Sequence, residues 1–65
     1  MKVESLLNHF KGAKSPKVQA AAMLDIHPTT IDQWLRRREG IVPEKYAYMI
    51  AAKTGLDVGE EDYQK

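Results

Sequence analysis

Five positions fall on one line between residues 28 and 36: Pro28, Thr29, Asp32, Gln33 and Arg36. Spacings of three and four residues place them on a single helical stripe. Their side chains suit the edges of base pairs. Gln33 can bond adenine through N6 and N7, and Thr29 can meet a thymine methyl or a base acceptor. Asp32 can accept from cytosine N4, and Arg36 can pair with guanine or a phosphate. A solvated helix face has a similar composition, so the stripe takes its meaning from its surroundings. Arg37 and Arg38 extend the run of cations, and Lys14, Ser15 and Lys17 stand at the start of the preceding helix. The free N–H groups of that helix start also suit an anion. These residues, with Lys45 and the Tyr46 hydroxyl, are the candidates for contact with backbone phosphates.

Other chemistries find less support. Ser5 and His9 are spaced four apart, but a nucleophile and its base need an orienting group and an oxyanion site, and neither is visible. Two histidines without a cysteine or a suitable carboxylate spacing do not make a zinc site. There is no glycine-rich phosphate loop. Neither catalysis nor a cofactor nor a metal is expected.

The stripe needs elements to hold it. Val3, Leu6, Leu7 and Phe10 recur at helical spacing, and Gly12 is the expected stop. Ser15-Pro16 is a helix start, with serine as the cap whose side chain accepts an orphan N–H and proline at the first helical position. That helix runs to about Leu24, with Ala20, Ala21 and Leu24 on one side. Asp25 and Ile26 make a turn, with Ile26 plugging the corner. His27-Pro28 restarts the helix; histidine is a poor cap, and Thr29 or Thr30 is a weaker alternative. Ile31, Trp34 and Leu35 are assigned to the core face, and Trp34 is read as core rather than as a base-stacking ring. Gly40 closes this helix. Ile41 and Val42 form a connector, and Pro43 opens a further helix that ends at Thr54-Gly55. Its buried side holds Ala47, Ile50 and Ala51 with Tyr46 or Met49. The tail after Gly55 is open to three readings, a short fifth helix, a strand or a loose end over 57–65, and helix is favoured.

Length and composition set the frame. Sixty-five residues make one domain, and a chain this short buries only about 60% of its unfolded surface, so dimerisation would help it. The lack of cysteine fits a reducing cytoplasm. Residues 1–10 are too polar and acidic for a signal peptide, and no apolar run approaches the roughly 18 residues of a membrane span. The net charge of +1 is unevenly distributed: residues 1–40 carry seven Lys or Arg against four acids, and residues 41–65 three against five. The basic part coincides with the stripe and its flanks, a distribution that suits a nucleic-acid partner.

The ordered set of short motifs resembles the Cro repressors of lambdoid phages and the related YdaS-like prophage regulators. It consists of His9-Phe10 with Gly12, Ala20-Ala21, Leu24-Asp25-Ile26, Gln33-Trp34, Val42-Pro43, Ala47 with Ile50, and Thr54-Gly55. The likeness covers about residues 3–56. It implies an all-α fold of four to five short helices around a central helix-turn-helix, in a bacterial cytoplasm. It also implies a repressor that binds an inverted-repeat operator as a homodimer, with base contacts from His27, Pro28, Thr29, Asp32, Gln33 and Arg36. The alternative it carries is an antitoxin or protein-interaction module in which DNA binding is secondary. The chain departs from the pattern in three places. Asp25 replaces the usual turn glycine, Lys11 is inserted before Gly12, and Asp32 puts a negative charge where phosphates are near. Asp32 either reads cytosine or pairs with Arg36 and orients it.

Overall fold

The computed structural model describes residues 1–64; Lys65, the end of the tail assigned to 57–65, lies outside them. Four helices follow in order: α1 Val3–His9, α2 Pro16–Leu24, α3 Pro28–Arg37 and α4 Glu44–Thr54, then a single 3₁₀ turn Glu60–Asp62. The fold is all-α. Helix α2 packs on α3, α1 lies against both, and α4 closes onto α2. No helix among the described residues is long and apolar enough to cross a membrane.

The core follows the apolar periodicity. Val3 and Leu6 from α1, Ala20, Ala21 and Leu24 from α2, Ile31 and Trp34 from α3, and Ala47 and Ile50 from α4 are all buried. Alanine at 20 and 21 leaves room for α3 to approach α2 closely, which sets the distance between the two helices but not their angle. Leu35 departs from expectation, being 40% exposed. The inward stripe of α3 is only Ile31 and Trp34 wide, and Leu35 lies over the turn at Gly40, where a Cβ would stand 3.9 Å from its Cδ2. On α4 the partner of Ala47 and Ile50 is Tyr46, since Met49 is exposed.

The helix ends also differ in part. Helix α1 stops at His9, and Gly12 is not left-handed. The chain turns instead through successive short bonds, Phe10 N–H to Leu7 O, Lys11 N–H to Asn8 O and Ala13 N–H to Phe10 O. Such a turn closes with right-handed residues, so it does not call on glycine's freedom. At the other end of α3, Glu39 and Gly40 are both left-handed, and the N–H groups of Arg38 and Gly40 converge on the Trp34 carbonyl.

The chain ends are the part least evident from periodicity. Met1, only 2% exposed, is a core residue. Residues 1–3 run antiparallel to the connector after α3: Val42 N–H donates to Met1 O at 2.9 Å and Val3 N–H to Gly40 O at 2.8 Å. The tail folds back over this pairing. Tyr63 donates its hydroxyl to Val42 O and accepts the Met1 amine at 2.8 Å, while Asp62 Oδ2 lies 3.1 Å from the same amine. Gly59 is required here, because a Cβ would come within 3.1 Å of the Met1 nitrogen. The described tail is therefore neither a strand nor a loose end: its helical part is a single 3₁₀ turn, held by polar contacts and by Leu56, Val58 and Tyr63 packed on the core.

Burial, followed by the neighbouring Asp62 charge, pushes the Tyr63 phenol above its ordinary value. Its contribution to stability is therefore complete below pH about 10 and is lost as pH rises through the raised value. Tyr63→Phe removes two hydrogen bonds, an expected cost of about 1–3 kcal/mol. Thermal melting should show a lower midpoint, by roughly 4–8 °C per kcal/mol in a domain of this size. The variant should also lose the alkaline component of the wild-type pH dependence. An unchanged midpoint would mean that the tail contacts do not hold in solution.

Candidate nucleic-acid interface

The polar stripe lies on α3, opposite the face that Ile31 and Trp34 bury. Thr29, Gln33 and Arg36 are exposed, and Pro28 and Asp32 are half-buried. The other candidates also reach the surface. Lys14, Ser15, His27, Arg37, Arg38 and Lys45 are exposed, and Lys17 and Tyr46 are half-buried. What fixes the stripe is the anchorage beneath it. Trp34 is 5% exposed, and its ring meets Tyr46 of α4 at 5.3 Å between centroids with a 44° tilt. This is core packing, as the register with Ile31 indicates. Tyr46 thus gives its ring to the core, with the Lys45 ammonium 5.3 Å from the ring centroid.

The turn that aims α3 uses Asp25 where glycine is usual. Asp25 is left-handed, with φ 56° and ψ 44°. The bonds Ile26 N–H to Ala21 O and Asp25 N–H to Ala22 O form the Schellman pattern that ends helices. Aspartate enters this region at lower cost than most residues, so the departure from the glycine pattern leaves the turn intact.

The caps exchange roles relative to the sequence reading. Ser15 precedes α2 in extended conformation, but its hydroxyl makes no cap bond. The His27 ring does make one: its Nδ1 accepts the Thr29 N–H at 3.2 Å and lies 2.8 Å from the Thr29 hydroxyl. Pro28 at the first helical position is compatible with this cap, since it has no N–H of its own, and the ring reaches the next free one, that of Thr29. An accepting Nδ1 leaves Nε2 as the ring's donor, so His27 and Thr29 face any ligand as a linked pair with only part of their capacity free.

Charge on the surface is also more ordered than the sequence suggests. Asp32 does not take Arg36 as its first partner. Lys17, on the first turn of α2, reaches across the motif, and its Nζ lies 2.6 Å from Asp32 Oδ1. Both side chains remain partly open, at 44% and 38%. The Lys17 hydrogen bond is the main cause that holds the Asp32 carboxyl below its ordinary value, opposed by desolvation and helped by the charges of Lys17 and Arg36. The arginines divide: Arg36 acts on Asp32, whereas the charge of Arg38, beyond the last turn of α3, acts on Tyr63 in the tail. The pairing of Lys17 with Asp32 spans 15 residues and gives no periodic signal. It becomes readable only once the angle between α2 and α3 is known.

No family model, curated protein or solved structure matches the chain.

The cap has a local test. His27→Ala should cost about 0.5–2 kcal/mol, the usual range for a lost N-cap, and hydrogen exchange at the Thr29 amide should accelerate. His27→Asn, which can also accept that N–H, should restore most of the protection. Unaltered exchange in the alanine variant would show that the ring does not cap α3.

Proposed function

We propose that this chain is a sequence-specific DNA-binding repressor that inserts α3 into the major groove. The observation that carries this reading is the placement of Thr29, Gln33 and Arg36 on the outer face of a helix whose inner face is fixed by Ile31 and Trp34. A reading helix needs both properties, since base edges are distinguished by donor and acceptor positions that a mobile helix could not meet. Lys14, Ser15 and the uncapped start of α2, with Arg37 and Lys45, are exposed and available to phosphates. Phosphate contacts set register and affinity, while the stripe sets sequence preference. The resemblance to Cro-type phage regulators points the same way, toward a homodimer on an inverted repeat with reading helices about 34 Å apart. A second reading, an antitoxin-like or protein-interaction module, draws on the apolar side chains left open at Val18 and Tyr48, 49% and 51% exposed.

Selection of bound duplexes from a random DNA pool tests the proposal. A two-fold symmetric motif is the expected result, and a failure to enrich any sequence would favour the protein-binding reading.

Two substitutions separate the roles. Gln33→Ala should relax preference at one base position per half-site with little change in melting temperature; a stability loss at unchanged specificity would remove Gln33 from the reading face. Arg37→Ala should weaken binding to all duplexes alike. It should also reduce the slope of log K against log salt by about one, the value for one lost phosphate contact.

A further inference from the structure

We propose that Lys17 is a positioning residue for base reading: it holds Asp32 by Oδ1, masks its charge, and leaves Oδ2 to accept the N4 amino group of a cytosine. The inference rests on the DNA-binding reading above and assigns Lys17 a task other than phosphate contact.

Geometry and charge both support the assignment. Asp32 sits beside Thr29 on the outer stripe of α3, on the side that Lys17 of α2 reaches, where a bare carboxylate would face phosphates of like sign. The Lys17 ammonium, at 2.6 Å, supplies the opposite charge from a different helix. It does so on one oxygen only, and no other donor among the described residues bonds the carboxylate. A lysine ammonium is a point donor, so it leaves the second oxygen free where a bidentate arginine fork would take both. Arg36, which could close that fork, contributes charge to Asp32 without a hydrogen bond. The remaining oxygen is purely an acceptor. In the major groove guanine presents O6 and N7, thymine presents O4, and adenine sets N7 beside its amino group. In the duplex the cytosine amino group has an acceptor on one side only, guanine O6, whereas the adenine amino group lies between its own N7 and thymine O4, so the masked carboxylate favours cytosine.

This arrangement separates two behaviours. A lysine on a phosphate strengthens every sequence equally. A lysine that holds a reader changes the ratio between sequences at one base pair.

The experiment uses the full chain as wild type, Lys17→Met and Asp32→Asn, with circular dichroism and melting to show that all three are folded. Duplexes selected from a random pool by the wild type are compared with single-base variants over a salt series. The wild type should prefer cytosine at one position per half-site by about tenfold, within the usual range for one base contact. Asp32→Asn should reduce that ratio to about twofold or reverse it. Lys17→Met should reduce the same ratio at the same position and leave the others unchanged. Uniform weakening by Lys17→Met, with the salt slope lowered by about one, would make Lys17 a phosphate ligand and overturn the proposal. So would an Asp32→Asn variant that keeps every preference.

An NMR titration of the Asp32 carboxyl without DNA tests the pair itself. It should lie below the ordinary carboxylate range in the wild type and rise in Lys17→Met; no change would refute the pair. A wild type that enriches no sequence would defeat the DNA reading and this proposal together. Enrichment without the cytosine effect would defeat this proposal alone.

Discussion

The burial of Trp34 is the constraint on which the rest depends. An aromatic side chain of this kind removes on the order of 150–250 Å² from water, or about 4–6 kcal/mol of transfer free energy at ~25 cal/mol per Å². The whole net stability of a chain this long is only about 3–10 kcal/mol. One side chain therefore carries a stabilisation comparable to the margin by which the fold exists. It is also central in connection. Its ring leans on Tyr46 of α4, and its carbonyl receives the N–H groups of Arg38 and Gly40. The rotation of α3 about its own axis, the turn that follows and the seat of α4 are coupled through one residue. Fixing Trp34 inward is what directs Gln33 and Arg36 outward.

The second constraint is smallness. Ala20 and Ala21 have almost no exposed surface, and between α2 and α3 there is space for little else. Larger side chains would push the helices apart and change the angle between them. Alanine cannot interdigitate in a way that selects one angle, so the angle is set by what surrounds it: the left-handed Asp25 and the Ile26 plug, with the Lys17–Asp32 bridge lying across the outer edge. The bridge is a surface pair, and pairs of this kind add little to stability. Its effect is on the charge presented by the outer face, where a carboxylate stands among groups suited to a polyanion.

Most of the fold was legible in the sequence because it rests on periodicity and on local start and stop signals. The four helices, the burial of Ile31, Trp34, Ala47 and Ile50, and the turn at Asp25 and Ile26 follow from residue type and spacing. What escaped depends on contacts between distant residues or on competition among neighbours. Leu35 satisfies the helical spacing, but α3 offers an inward face only two residues wide. Ser15 is the better cap by residue type, whereas His27 is the one that makes the bond; both precede a proline, so side-chain placement and not the proline separates them. Met1 and Tyr63 meet over 62 residues, and no local pattern announces such a closure. The stripe on α3 was legible as a stripe. Its division into linked pairs, His27 with Thr29 and Asp32 with Lys17, was not.

Those pairs change what kind of surface α3 presents. Five independent polar side chains would offer many donors and acceptors in many rotamers, and ordering each on a partner would carry an entropic cost. Here His27 Nδ1 is occupied by Thr29, and one Asp32 oxygen is occupied by Lys17. Each pair withdraws part of its capacity and fixes the remainder in direction. The outer face therefore displays fewer hydrogen-bonding groups than its composition suggests, but more of them are already oriented within the chain itself. Preorganisation of this kind favours discrimination over raw affinity, because a misplaced donor or acceptor on the partner leaves a fixed group unsatisfied instead of meeting a side chain free to move away. Gln33 and Arg36, which carry no such internal bond among the described residues, retain the adaptable part of the surface. The split between bonded pairs and longer side chains without such bonds follows from where Trp34 points, since its burial sets which α3 residues lie near α2 and which extend beyond it.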